Sequence, residues 1–272
     1  MSTLWKISKQ KFQYTTEVDT DTLPTGRTYH TPDGSYPSIT TILGKTSDNT
    51  WLQKWIERVG EEEARRVSKE ATDRGTLVHE YAERHFNGED VWADLTQERL
   101  DVRQMSRDLI RATERGIEEV WGQEQVLWSN KYQYAGRCDM VGIWKGKPTI
   151  IDFKTSKKKK SSKQITDYYI QGCAYAVAHN EMYGTGIRDL AIIMTIDGAD
   201  PIVFEQDAVP FYLYLKIGDN NMISWIKNII DEWKFEREFQ RKKEELMKLD
   251  PFIYDIPEHD EKEDKQVPIE KY

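Results

Sequence analysis

The stretch from Gly136 to Lys160, GRCDMVGIWKGKPTIIDFKTSKKKK, places two aspartates and a lysine on what reads as one β-hairpin. Runs of β-branched and aromatic residues flank Lys145-Gly146, a pair suited to a two-residue turn. That turn sets Trp144 opposite Lys147 and, counting back, Asp139 opposite Asp152 in a non-hydrogen-bonded pair, with Cα atoms about 4.5 Å apart. Lys154 lies two residues beyond Asp152 and projects from the same face. Like charges facing each other across a ladder are destabilising. A divalent cation, a shared proton or full exposure to solvent would offset the repulsion. The apolar neighbours Met140, Val141, Ile150, Ile151 and Phe153 argue against exposure. A hard cation, Mg²⁺ or Mn²⁺, fits best, because it takes few protein ligands and keeps water and substrate phosphate in its shell. Lys154 beside it would orient or deprotonate a water and balance phosphate charge. The plainer alternative is a surface hairpin whose Asp152 and Lys154 are merely solvated.

The elements that must position this hairpin are legible in outline. Residues 1–36 are polar and punctuated by Pro24, Gly26, Pro32 and Gly34, which suggests short strands and turns. From Asp48, a plausible N-cap, Trp51, Trp55, Ile56 and Val59 mark the apolar face of a helix that reads as core packing. A second helix is expected from about Thr72 through Phe86. A third is expected from Thr96 to Trp121, sparsely apolar and largely exposed. Three strands follow, Gln125–Ala135, Arg137–Trp144 and Pro148–Thr155. Then come a basic loop, a helix over Gln164–Tyr183, and strands near Asp189–Asp197 and Ile202–Glu205. The fold class is α/β of the α+β kind, a mixed sheet flanked by helices. It reads as one domain over residues 1–250: a helical region at 37–122, a core at 123–208 and C-terminal helices at 209–250. Residues 251–272 form an acidic tail. His30, His85 and His179 show no evident partner.

Composition limits the classes. The chain has 272 residues and a formal charge of −8, so a uniformly basic nucleic-acid coat is excluded while a local basic patch is not. Two cysteines, Cys138 and Cys173, are too few for a disulfide scaffold, a four-cysteine zinc site or an iron–sulfur cluster. No stretch reaches the roughly 18 consecutive apolar residues of a membrane span. The N-terminus lacks the look of a secretory or transit signal, so the expected setting is cytoplasmic, with no membrane partner.

Gly136-Arg-Cys-Asp139 followed by Ile150-Ile-Asp152-Phe-Lys154-Thr155-Ser156 resembles the signature of the PD-(D/E)XK nuclease superfamily, in its RecB-type branch. Upstream, Arg74-Gly-Thr-Leu-Val-His79-Glu80 is similar to that branch's glycine-to-histidine helix motif. Downstream, Gln171-Gly-Cys-Ala-Tyr175 is similar to its Q-x-x-x-Y motif. Pro37-Ser38-Ile39-Thr40 resembles the opening of the mitochondrial genome maintenance exonuclease family and its phage and bacterial relatives. Together these phrases cover about residues 37–180.

The resemblance implies a restriction-endonuclease-like core with an N-terminal helical insertion arching over the site. It implies catalytic roles for Asp139, Asp152 and Lys154. One or two Mg²⁺ or Mn²⁺ ions would be held by Asp139, Asp152, the backbone carbonyl of Phe153 and His79. Gln171 and Tyr175 share a helix face and would brace the site and touch the nucleic-acid strand. Ser38, Thr40, Arg74, Lys157 and Lys158 would also contact DNA. Many superfamily members carry an acid in the strand before the hairpin; here that region reads Trp128-Ser129-Asn130, with Glu124 further back. The expected function is a metal-dependent DNA exonuclease acting on single-stranded ends or flaps in replication, repair or recombination. An endonuclease of the same chemistry is the first rival. A non-catalytic nucleic-acid-binding module and a small-molecule metal enzyme are the others. The acidic balance favours a narrow basic path for a threaded strand over broad duplex wrapping.

Overall fold

The structure, a computed structural model, describes residues 5–8, 11–15, 17–24, 26–46, 50–208 and 211. Strands β1 (Lys6–Ile7), β2 (Asp19–Leu23), β3 (Gly26–Thr31) and β4 (Gly34–Pro37) come first, as the turn-rich opening suggests. Five helices follow: α1 (Ile39–Thr46), α2 (Thr50–Val59), α3 (Glu61–Phe86), the single turn α4 (Trp92–Leu95) and α5 (Leu100–Glu114). Then come β5 (Ile117–Ser129), β6 (Tyr134–Trp144), β7 (Lys147–Ser156), a 3₁₀ turn over Ser162–Ile165, α6 (Thr166–Tyr183), β8 (Asp189–Ile196) and β9 (Ala199–Asp207). The main sheet runs β1-β5-β6-β7-β8-β9, with β1/β5 and β7/β8 parallel and the other pairs antiparallel. A second, small antiparallel sheet, β2-β3-β4, packs against β5 and β6 through Tyr29, Val126, Trp128 and Ala135.

Strand alternation distributes the core to two faces. Val141, Ile150, Leu190, Ile192 and Met194 pack with the buried residues of α6. Met140, Ile151, Phe153, Ala191 and Ile193 pack with Val78 and Phe86 of α3 and with Met105 and Leu109 of α5. The result is a mixed sheet between helical layers, and the fold class follows the expectation. Lys145 and Gly146 both have positive φ, 47° and 80°. That is the type I′ geometry a two-residue hairpin needs, and Trp144 pairs with Lys147 as the turn requires.

Several boundaries differ from the sequence reading. The third helix stops at Glu114, and residues 117–121 are strand. Two register shifts in β5, between Ile117 and Glu119 and between Val120 and Gly122, break the two-residue alternation. Ile117, Val120 and Trp121 therefore fall at helix-like spacing while lying in a bulged strand. Nor is α5 largely exposed: Val102, Met105, Leu109 and Ile110 are fully buried beneath the sheet. Helix α3 begins at Glu61, well before Thr72. Its first half carries almost no apolar pattern and is supported by ion pairs one turn apart, Arg65–Glu61, Arg66–Glu70 and Lys69–Asp73, with three glutamates complementing the N-terminal dipole. Helix α2 was expected to pack its tryptophan face into the core, but none of its residues is buried and Trp51 is 67% exposed. The Asp48 cap, the C-terminal helices at 209–250 and the tail at 251–272 lie outside the described residues.

Each of the three histidines has a partner. His30 sits between Ser35 and Asp21, His85 faces Glu114, and His179 lies between Tyr14 and Thr185. His179 is fully buried among Phe12, Tyr14 and Tyr183, and burial pushes its pKa down to about 4. The unfolded chain would protonate it near 6.5, so the unfolded state binds the extra proton first as pH falls. Its contribution is intact above pH 6.5 and drains away between 6.5 and about 4, a loss on the order of 3 kcal/mol. Urea unfolding at stepped pH should show this slope, and His179→Gln should flatten it.

Candidate metal centre

Three neighbouring strands and one helix converge at the carboxylates. The β6–β7 ladder keeps the expected register as far as Met140 opposite Ile151, its last pair. Beyond it, the expected Asp139–Asp152 pair gives way to a different contact: the backbone N–H of Phe153 donates to Asp139 Oδ2 at 2.7 Å. Helix α3 crosses this end of the hairpin. Gly75 of α3 faces Thr155 of β7, where a Cβ would make an ordinary contact 3.4 Å from Thr155 Oγ1. One turn on, the His79 imidazole meets Asp139 Oδ1 at 3.5 Å and stands edge-on to the Phe153 ring.

Strand β5 supplies Glu124, which the sequence reading notes as an acid further back but gives no role in the site. Gln123 pairs with Met140 and Gln125 with Cys138, so Glu124 lies across from Asp139. Its backbone takes φ 51°, a conformation L-residues seldom adopt. Ligand atoms of His79, Glu124 and Asp139 all lie within 4.8 Å of one another. The signal was available: this is an acid in the strand before the hairpin. The sequence reading leaves it without a role because that reading starts the strand at Gln125, eight residues after the true start at Ile117.

Burial and mutual charge tune the group. Burial pushes the Glu124 pKa up to about 7, helped by Asp139 and Glu83. For Asp139, burial acts upward, but His79, Lys154 and the Phe153 N–H outweigh it and hold the carboxyl below its ordinary value. For His79, burial acts downward and Asp139 outweighs it, so the imidazole is raised. Asp152 is only 1% exposed, and burial pushes its pKa up to about 6 against the pull of Lys154. The Lys154 ammonium pairs with its carboxylate, and no other hydrogen bond reaches either oxygen among the described residues. A buried carboxylate with that much unused acceptor capacity is costly unless a cation or proton completes it. Burial opposes the charge on Lys154, yet Asp152 and Asp139 raise its pKa overall.

The remaining expected residues are placed unequally. Gln171 Nε2 donates to the Tyr175 hydroxyl at 3.0 Å, as their one-turn spacing suggests. Tyr175 is 2% exposed and packs over Gly136, where a Cβ would come within 2.7 Å of the ring. It braces the strand that carries Asp139, and burial leaves it no open surface for a DNA strand. Ser38 is also buried; its hydroxyl accepts from the Thr41 N–H as the N-cap of α1 and donates to Thr41 Oγ1. Thr40 is exposed beside it. Arg74 is 4% exposed within α3, its Nε unpartnered among the described residues, so it does not stand at an open entrance. Lys157 and Lys158 are exposed just past the carboxylate hairpin. Tyr168, absent from every motif above, lies 5.0 Å from Lys154 Nζ at its ring centroid.

Mitochondrial genome maintenance exonuclease 1 of Xenopus tropicalis is 25% identical over 228 residues, covering 80% of this chain and 61% of its own length. The human protein of the same name is 25% identical over 178 residues, covering 61% of this chain and 50% of its own. The chain thus spans between half and two thirds of these relatives. The sequence profile of the PD-(D/E)XK nuclease superfamily matches residues 50–246, extending well past Tyr175, where the motifs quoted above end. With its ligand group, ion pair and hairpin inside a match that covers most of its length, the chain belongs to the PD-(D/E)XK nuclease superfamily.

Proposed function

We propose that the protein is a metal-dependent DNA exonuclease that hydrolyses phosphodiester bonds at single-stranded ends or flaps. The observation that carries the reading is the His79–Glu124–Asp139 ligand group beside the buried Asp152–Lys154 pair. The donor set fits a divalent cation: two carboxylates and an imidazole within reach of one another, and a buried Asp152 short of partners. His79, Glu124 and Asp139 would hold the ion, with Asp152 and the Phe153 carbonyl completing its protein ligands. An imidazole ligand suits Mn²⁺ better than Mg²⁺. Such an ion, when bound, polarises a phosphoryl oxygen and makes a water molecule acidic.

The side chains supply the rest. Lys154, paired with Asp152 beside the ligand group, would orient the attacking water and balance charge on a phosphate oxygen. The Asp139 side chain is fixed by the Phe153 N–H, which aims one of its oxygens and leaves the other towards His79. Gln171 and Tyr175 hold β6 in place behind it. The exonuclease names of the two relatives support action at strand ends. End-labelled single strands, flaps and duplexes, incubated with Mg²⁺ or Mn²⁺ and resolved on a gel, test the reading. Cleavage of single strands that chelator abolishes is expected; no cleavage with either metal would overturn it.

The exposed loop after β7 gives a second measurable expectation. Neutralising Lys157, Lys158 and Lys159 together should weaken binding of single-stranded DNA and flatten its salt dependence. Each lost phosphate contact should lower the log–log slope by roughly 0.7. Fluorescence anisotropy across a salt series checks this, and an unchanged slope would remove the loop from the DNA path.

A further inference from the structure

Tyr168 sits on α6, three residues before Gln171 and seven before Tyr175, on the face directed at the site. Two lysines from two different segments converge on its ring. Lys154 Nζ is 5.0 Å from the ring centroid and Lys160 Nζ is 5.1 Å from it. Lys160 also donates a hydrogen bond to the Tyr168 hydroxyl at 3.0 Å. An ammonium over an aromatic face is attracted by the ring's quadrupole, more strongly where water is excluded. The Lys154 side chain is 18% exposed and its other partner is the buried Asp152. The ammonium is therefore flanked by both the ring and the carboxylate, and the hydroxyl tethers the loop that carries Lys157–Lys159.

We propose that Tyr168 is a positioning residue with two separable functions: its ring holds the Lys154 ammonium against Asp152, and its hydroxyl anchors the basic loop at the mouth of the site. This rests on the nuclease reading of Lys154, and it predicts a split that a merely structural tyrosine would not give. Tyr168→Phe keeps the ring and loses the acceptor for Lys160, so kcat should stay within about twofold while KM for single-stranded DNA rises about threefold. Tyr168→Leu loses the ring, so kcat should fall about tenfold.

The test combines steady-state cleavage of a labelled single strand with competitive amine labelling of each lysine, read by mass spectrometry on the metal-free protein. Labelling of Lys154 should speed up in Tyr168→Leu and stay near wild type in Tyr168→Phe, whereas Lys160 should speed up in both. Because labelling needs no turnover, it separates the two readings. An inactive wild-type protein overturns the nuclease reading, while Lys154 labelling that ignores the ring overturns this one. Equal kcat in Tyr168→Leu and wild type, or equal loss in the leucine and phenylalanine variants, would also overturn it. If Tyr168→Leu does not fold, Tyr168→Met, of similar reach and without a ring, takes its place under the same criteria.

Discussion

Asp152→Asn should lower cleavage of single-stranded DNA by at least about 10³-fold while leaving the melting temperature at or above that of the wild type. The two halves of this expectation come from the same geometry. Asp152 is buried, paired with Lys154 and otherwise short of donors, and its pKa is pushed up to about 6. A carboxyl raised above its unfolded value destabilises the folded state once ionised. That cost is absent below the unfolded value near 3.8, grows as pH rises through about 6, and is full at neutral pH. The amide has similar shape and no charge, so it relieves the cost while removing a ligand and the counterion of Lys154. Single-turnover kinetics and thermal melts at pH 7 decide the matter. A variant that retains activity, or one inactive only because it is unfolded, would count against the assignment. Lys154→Met should show the same loss of activity but a lower melting temperature, because it leaves Asp152 buried and unpaired.

A second large effect is expected from the substrate's topology. Circularised single-stranded DNA should be cut at least about 100-fold more slowly than the same sequence left open, since a scissile phosphate that cannot be seated correctly costs on that order. The physical ground is the approach to the metal group. Helix α3 lies directly on it, with Gly75 against Thr155 and His79 against Asp139 and Phe153, so one side of the site is covered by helix. The lysines that follow β7 are exposed, and the chain as a whole is acidic and repels DNA elsewhere. A flexible single strand entering by its end suits that approach better than a duplex laid across it. Equal rates on circle and open strand would reject threading and leave an endonuclease of the same chemistry.

How much of this was legible in the sequence depended on whether local pattern and tertiary pairing agreed. The hairpin was readable because Lys145-Gly146 is a turn that fixes its own register, and its flanking strands are rich in β-branched and aromatic residues. Helix α6 was readable because Gln171 and Tyr175 stand one turn apart and the helix ends at Gly184 with a left-handed backbone. Strand β5 was not, because its bulges disguise Ile117, Val120 and Trp121 as a helical face. That boundary error had a functional consequence, since it put Glu124 outside the strand that carries it to Asp139. The first half of α3 was hidden for a different reason: its support is surface ion pairing, which leaves no apolar period to read. Tyr168 belongs to no motif, and only the folded structure brings Lys154 and Lys160 to its ring.

The central claim is that His79, Glu124 and Asp139 form one metal site beside Asp152, and a crystal soaked in Mn²⁺ tests it most directly. Anomalous density is expected among those three side chains, and it should be lost from a Glu124→Ala, Asp139→Ala crystal treated in the same way. Density confined to other parts of the molecule in the wild-type crystal would contradict the account.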